Sequence, residues 1–329
     1  MNRFLCATLL LTAIGCGGGG LKPTHYNPGP PPEAPAVPAR QNVPLDPALR
    51  EQAKNELLVA SRDPNPVIRA NALEAMQDTL GDDASDAILR GLDDKDALVR
   101  FAAAMAAGKI KLQAAYERLT KLLFDPDDNV KVGVRFALHR LGDPRRSHDF
   151  ETLARNDSRG VRGNVALALG MLGDPSALKV LRPMMNDRDP IVRYEVAEGM
   201  WRLGDEEGLE ALVVGTVSEY GEDQAICVLA IAQPRDSRVG PHIWGKLTSP
   251  LPEVALVAAR AMGMIGSDAG YGVALNNIRT PDPRKKALAA LACGQIGRSD
   301  AQPILAPLLK DPDQSVRVAA ATAILQLKA

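Results

Sequence analysis

Aromatic residues are scarce. Only 4% of the 329 residues are Phe, Tyr or Trp, although 46% are apolar. The core must therefore come from Ala, Val and Leu, with little contribution from stacked rings. An excess of one charge is missing too: 39 basic residues face 40 acidic ones, for a net charge of −1. With no basic surplus to neutralise phosphates, nucleic acid is excluded as the main ligand. The histidines are few, His25, His139, His148 and His242, and show no H-x-x-x-H or Cys/His ligand spacing, so no metal site is expected. No Gly-rich phosphate loop follows a strand, no G-x-S-x-G occurs, and the carboxylates show no spacing that selects a catalytic pair. Neither a cofactor nor a catalytic set is expected.

The first residues read MNRFLCATLLLTAIGC. Arg3 supplies a positive start and Phe4 to Ile14 an apolar stretch too short to span a bilayer, the pattern of a secretory signal over 1–15. Ala13-Ile14-Gly15-Cys16 resembles a bacterial lipobox, with Ala13 departing from the usual leucine. That resemblance implies lipidation of Cys16 and attachment to a membrane; an ordinary signal peptide with a chance cysteine is the alternative. Gly17 follows the cysteine in place of aspartate, which by resemblance to enterobacterial sorting places the protein in the cell envelope, on the outer membrane facing the periplasm. Residues 16–45 hold four consecutive glycines and eight prolines, Pro23 to Pro44, and are expected to form a disordered linker. At about 3.1 Å per residue such a linker holds a domain several tens of Å from a membrane.

From residue 46 to 329 the sequence repeats with a period of 31. Anchors stand at Arg69, Arg100, Lys131, Arg162, Arg193, Gln224, Ala255, Lys286 and Arg317, and the preceding residue is Val or Ile in seven of the nine. Six places before each anchor lies Asp, Asn, Ser or Thr, the types that cap helix N-termini. With the residues at −1, +3 and +7 the repeat has an i, i+4, i+8 apolar stripe, the buried side of a helix. Gly142, Gly173, Gly204, Gly266 and Gly297 fall at +11, where a left-handed residue closes that helix. A shorter apolar stretch precedes each turn. The reading is all-α, an α-solenoid of about nine helix-turn-helix repeats. Cys227 and Cys293 sit on the buried stripe two repeats apart, too far for a disulfide, and read as core residues. The sixth repeat departs: Asp223 and Gln224 replace Val-Arg, and Pro234 should shorten its helix and loosen packing near 218–240.

The turn Asp, the Val-Arg pair, the small residues and the Leu-Gly ending resemble the HEAT-repeat family, in particular its short bacterial phycobilisome-lyase-type form. In that family Asp and Arg stack between repeats as a ladder. Carried over, Asp63, Asp94, Asp125, Asp187 and Asp311 meet Arg69, Arg100, Lys131, Arg193 and Arg317, within or between repeats. The resemblance also implies that the Val-Arg helices line a concave face. Offsets +1, +5, +8 and +9 lie opposite the buried stripe and give Phe101, Met105 and Lys109; Phe136, His139 and Arg140; Leu167 and Met171; Tyr194, Glu198, Trp201 and Arg202; then Leu229, Arg260, Met264 and Leu291. Aromatic and Arg residues flanked by charge are common anchors of a protein interface, so Phe136, Arg140, Tyr194, Glu198, Trp201, Arg202 and Arg260 are candidate contacts for a protein or peptide partner. Packing of +1 and +8 against the adjoining repeat is the competing reading. The function expected is a membrane-anchored, extracytoplasmic interaction scaffold and not an enzyme. A purely architectural spacer is the runner-up, and a bilin-lyase-like enzyme a further alternative. The alanine-rich last helix, Ala319 to Ala323, is expected to leave an apolar end open to a partner or second copy.

Overall fold

The computed structural model describes residue 33 and residues 35–328; the signal segment 1–15 and Cys16 lie outside the described residues. Helices follow in pairs: α1 (Pro47–Ala60) and α2 (Pro66–Thr79), α3 (Ser85–Leu92) and α4 (Ala97–Lys109), α5 (Tyr116–Leu122) and α6 (Asp128–Arg140), α7 (Phe150–Leu153) and α8 (Arg159–Leu172), α9 (Leu178–Met184) and α10 (Pro190–Arg202). The series continues with α11 (Glu206–Gly215) and α12 (Gly221–Ile231), α13 (Gly240–Trp244) and α14 (Pro252–Met264), α15 (Tyr271–Asn277) and α16 (Pro283–Ile296), α17 (Gln302–Leu305) and α18 (Gln314–Gln326). Among the described residues the fold is an all-α solenoid of nine helix pairs, with the Val-Arg helices even-numbered. Among the described residues no helix is long and apolar enough to cross a membrane. The chain divides into a first unit, 54–209, and a second, 210–328 together with the segment up to residue 53.

The turn before each even helix is built by two polar columns. The residue at −6 accepts the N–H at −4 in every repeat, from Asp63 with Asn65 at 2.7 Å to Asp311 with Asp313 at 2.9 Å, and in the divergent repeats from Ser218 with Tyr220 at 3.2 Å and Thr280 with Asp282 at 3.4 Å. The helix caps themselves stand two residues later. Asn65, Asp96, Asp127, Asp189, Asp282 and Asp313 each accept from the first turn. The −6 column therefore does not cap the helix; it folds the Asx or Ser/Thr turn that presents the cap.

At the other end, Gly142, Gly173, Gly204, Gly266 and Gly297 all have positive φ, between 73° and 98°. The same +11 place is left-handed in two repeats without glycine, at Lys111 (φ 55°) and Arg235 (φ 60°). The backbone rule thus holds where the residue type does not. In the sixth repeat α12 has 11 residues where its neighbours have 13, as Pro234 requires. Its stripe residues Cys227, Val228 and Ile231 are nonetheless buried. Gln224 donates Nε2 to the Ser218 carbonyl at 2.7 Å, the contact that arginine Nη1 makes in other repeats.

Two expectations are corrected. Residues 35–46 are not all free linker: within the second unit they run extended along the last repeats, where Arg298 donates to the Pro38 and Ala39 carbonyls at 2.9 Å each. The C-terminal helix leaves no apolar end, because Ala319, Ala320, Ala321 and Ala323 are fully buried in the monomer and Arg50 donates to the Ile324 carbonyl at 3.3 Å.

Candidate functional site

The charged column joins successive repeats. Arg69 forks onto Asp94 at 2.7 and 2.8 Å, Arg100 onto Asp125 at 2.7 and 2.9 Å, and Arg162 onto Asp187 at 2.6 and 2.9 Å; Lys286 reaches Asp311 at 2.7 Å. Each of these joins one repeat's anchor to the next repeat's turn. The third guanidinium nitrogen turns back to its own turn, as from Arg69 to the Asp63 carbonyl at 2.7 Å, and Arg193 and Arg317 do the same with the Asp187 and Asp311 carbonyls at 2.8 Å. Asp63 thus enters through its carbonyl. Lys131 breaks the series: it pairs with Asp128 at 2.8 Å, and Asp128 also receives Asn156 Nδ2 at 2.8 Å. Most of these charges are spent on one another, whereas Asp63, Arg193 and Arg317 enter through main-chain hydrogen bonds.

Phe136 and Trp201 do not line an open groove. Phe136 is 1% exposed and Trp201 3%, and Phe101 is fully buried. The cause is the +8 column. Gly108 of α4 lies so close to α6 that a Cβ on it would stand 2.7 Å from Ala137 Cα and 2.8 Å from the Phe136 ring. Gly170 meets Gly199 Cα at 2.7 Å in the same way, and in the second unit Gly294 meets Ala323 Cα at 2.6 Å. Even helices therefore pack through small residues, and the rings at +1, +5 and +8 fill the seams between repeats. Both rings are corrected from partner anchors to packing residues.

What stays half-exposed is at +9 and part of +5. In the first unit, Lys109 pairs with Asp78 at 2.5 Å, Arg140 lies 3.5 Å from the Gly108 carbonyl, and Arg202 pairs with Glu198 at 2.8 Å. Tyr194 is half-buried on the same helix as Glu198 and Arg202. In the second unit Arg260 is half-buried. Among the described residues, several polar atoms are shielded from solvent and find no partner: Asn71 Oδ1 and Nδ2 at +2 and Gln77 Oε1 and His139 Nδ1 at +8 in the first unit, and Arg260 Nε and Nη1 at +5 and Gln326 Oε1 at +9 in the second. Burial lowers the His139 pKa, Asp174 opposes this, and Arg140 adds to it, so the ring is held neutral.

Other chemistry is sparse among the described residues. No cluster of His, Cys, Asp or Glu has the makings of a metal site. Cys227 and Cys293 are buried and form no disulfide, and burial, with the charge of Asp300, pushes the Cys293 thiol up to about 12. A cavity of about 430 Å³ opens beside the single-turn helix α7, but its charged lining includes Arg162 and Asp187, already committed to the ladder.

Sequence reasoning passed over one polar cluster. Position +12 is acidic in the middle repeats, at Asp143, Asp174, Asp205 and Asp236, and Arg298 alone reverses the sign. Arg298 is 1% exposed, pairs with Asp300 at 2.6 Å and lies 4.2 Å over the Tyr271 ring. The break in the column was the available signal.

The HEAT-repeat family profile matches residues 55–139, 149–219 and 273–329. No curated protein matches the sequence. Among solved structures, the chain is similar to the CpcE–CpcF complex of phycocyanin lyase from Nostoc sp. PCC7120, at 18% identity over 74% of this chain and 98% of that one, with a TM-score of 0.45. Human deoxyhypusine hydroxylase is similar at 18% identity over 75% and 96%, with a TM-score of 0.38. These likenesses lie in the repeat and carry nothing about activity.

Proposed function

The chain belongs to the HEAT-repeat family, and from that premise we propose that it is a protein-binding scaffold, exported from the cytoplasm and held to the cell envelope by a lipid on Cys16. The binding edge is the +5/+9 row of the even helices, Arg140, Glu198 and Arg202 in the first unit and Arg260 in the second, with Tyr194 at +1 beside it in the first unit. The observation that carries the reading is unfilled hydrogen-bonding capacity on and beside that row, at Arg260 Nε and Nη1 (+5) and Gln326 Oε1 (+9), with Gln77 Oε1 and His139 Nδ1 at the adjoining +8 place. A buried polar group without a partner is costly, and a protein ligand supplies the missing donor or acceptor. The spacer alternative predicts no such concentration on one edge. The ladder arginines and lysines are consumed in holding repeats in register, which favours binding over catalysis as the role of the array.

Photo-crosslinking in cells tests the binding edge. A photoreactive residue at 140, 202 or 260 should give one discrete adduct, and the same residue at exposed Lys121 on α5 should give none. Equal adducts at all positions, or none at 140, 202 and 260, would favour the spacer. Anchoring is tested separately: Cys16→Ser should move the protein from the membrane fraction to the soluble one, and an unchanged distribution removes the lipid from the account.

A further inference from the structure

Residues 35–46 lie within the second unit as an extended strap, held almost wholly by its main chain. Arg298 Nη1 and Nη2 donate to the Pro38 and Ala39 carbonyls at 2.9 Å, and Gln302 Nε2 donates to the Pro44 carbonyl at 2.8 Å. In return the Gln41 N–H donates to Asp300 Oδ2 at 3.0 Å, Val43 N–H to Ser299 Oγ at 3.1 Å, and Asp46 N–H to Gln302 Oε1 at 2.7 Å. Gly272 on α15 completes the seat: a Cβ there would stand 2.7 Å from both the Pro35 and Ala36 carbonyl oxygens. The strap's side chains from Ala36 to Asn42 point to solvent.

Part of the receptor side is held in place by contacts outside the strap. Arg298, Ser299 and Gln302 are buried. Arg298 is fixed by Asp300 and by the Tyr271 ring, neither of which belongs to the strap. A seat of fixed, buried donors and acceptors that addresses only carbonyls and N–H groups does not read side chains. It reads an extended backbone. Three carbonyls and three N–H groups are used, and the three residues whose N–H is used, Gln41, Val43 and Asp46, are not proline. Pro35, Pro38 and Pro44 fall where no N–H is needed, and they pre-set the extended conformation at low entropic cost.

We propose that the groove formed by α15 and the turn from Arg298 to Gln302 is a binding site for an extended, proline-bearing polypeptide, and that residues 35–46 occupy it in cis as its resident ligand. The occupant displaced or replaced is a backbone of the same pattern: proline admitted only where no N–H is given, as at Pro35, Pro38 and Pro44, and any other residue where the N–H is given. Being tethered, the strap holds the groove at an effective concentration on the order of mM, so a partner segment enters when the strap is withdrawn. The site stands apart from the +5/+9 row, and either assignment survives failure of the other.

The test keeps the full chain. Gln41→Pro/Val43→Pro removes two strap donors and leaves every receptor residue untouched. A fluorescein-labelled peptide of residues 35–46 is then titrated and followed by anisotropy. The peptide should bind the double variant at least tenfold more tightly than it binds the unsubstituted chain, and a peptide carrying the same two prolines should not bind. Absence of binding to a variant of parental helicity overturns the proposal, as does equal binding to both proteins. If the double variant loses helicity, amide exchange in the unsubstituted chain decides. Excess peptide should accelerate exchange at Gln41, Val43 and Asp46, and unchanged exchange overturns the proposal.

Discussion

Removing one rung of the ladder, by Arg162→Met, should destabilise the first unit far more than an exposed ion pair does. The side chains of Arg162 and Asp187 are 7% and 9% exposed. Truncation leaves Asp187 buried without its cation, and the Asn156 and Asp157 carbonyls lose donors now at 2.8 and 2.9 Å. Breaking a buried pair from one side costs about 3–5 kcal/mol. With a urea slope of about 3 kcal/mol/M the unfolding midpoint of that unit, followed by circular dichroism, should fall by about 1–1.7 M. The control is Arg118→Met, whose pair with Asp93 is 44% and 65% exposed and should contribute under about 1 kcal/mol. Adding Asp187→Asn to Arg162→Met removes the orphaned charge while keeping an acceptor for the Asp189 N–H, so the double variant should regain more than about 1 kcal/mol. The pH dependence follows. In the parent, burial works to raise the Asp187 carboxyl, but the Arg162 hydrogen bonds and the Asp189 N–H outweigh it and hold the pKa below the ordinary range. That stabilisation is present above the unfolded value and is lost as pH falls through the folded one. In Arg162→Met burial acts without that opposition, Asp187 takes up its proton more readily, and the gap between variant and parent should narrow toward pH 4. A cost no larger than that of Arg118→Met, or a gap unchanged by acid, would refute the reasoning.

Three further outcomes are expected. Lys111→Gly should stabilise the chain by up to about 1 kcal/mol, because a left-handed backbone strains any residue with a Cβ; a raised thermal midpoint checks it, and Arg235→Gly should behave alike. Gly108→Val should cost at least about 1–3 kcal/mol, since the obstacle at 2.7 Å is backbone and does not yield; urea titration reads this directly. His139 is held neutral first by burial, so the folded pKa lies below the unfolded one and stability falls as pH drops below about 6.5. His139→Gln should flatten the urea midpoint between pH 7.5 and 5, and a slope unchanged by the substitution would count against a buried neutral ring.

The period, the helix pairs and the glycine stops were legible because each is enforced by a backbone requirement that recurs along the array, the left-handed stop at seven of the nine +11 places. The cap position was misplaced by two residues because −6 and −4 are both rich in Asp, and composition does not reveal which of two neighbouring Asp residues takes the extended conformation before a helix. Lys111 and Arg235 were missed because their left-handed backbone is set by the register of the array and not by their own preference. Phe136 and Trp201 misled for a different reason. Counting offsets places them opposite the buried stripe, but a solenoid helix has two flanks as well as two faces, and the glycines at +8 draw the next helix over those flanks. The +9 residues, one position further round, are the ones left half-open. Of the strap, proline content gave no sign of its seat, since the groove addresses main-chain atoms that every sequence has.

The strap also decides where mechanical load enters the protein. A pull arriving through residue 35 reaches the main-chain hydrogen bonds to Arg298, Ser299, Asp300 and Gln302 before it reaches α1. Contacts arranged along one extended segment share such a force, whereas a helix tugged at its first turn gives up its bonds one after another. The last repeats, not the first, then serve as the fuse between the N-terminal segment and the array, and the load at which they part sets how much tension the remaining repeats ever feel.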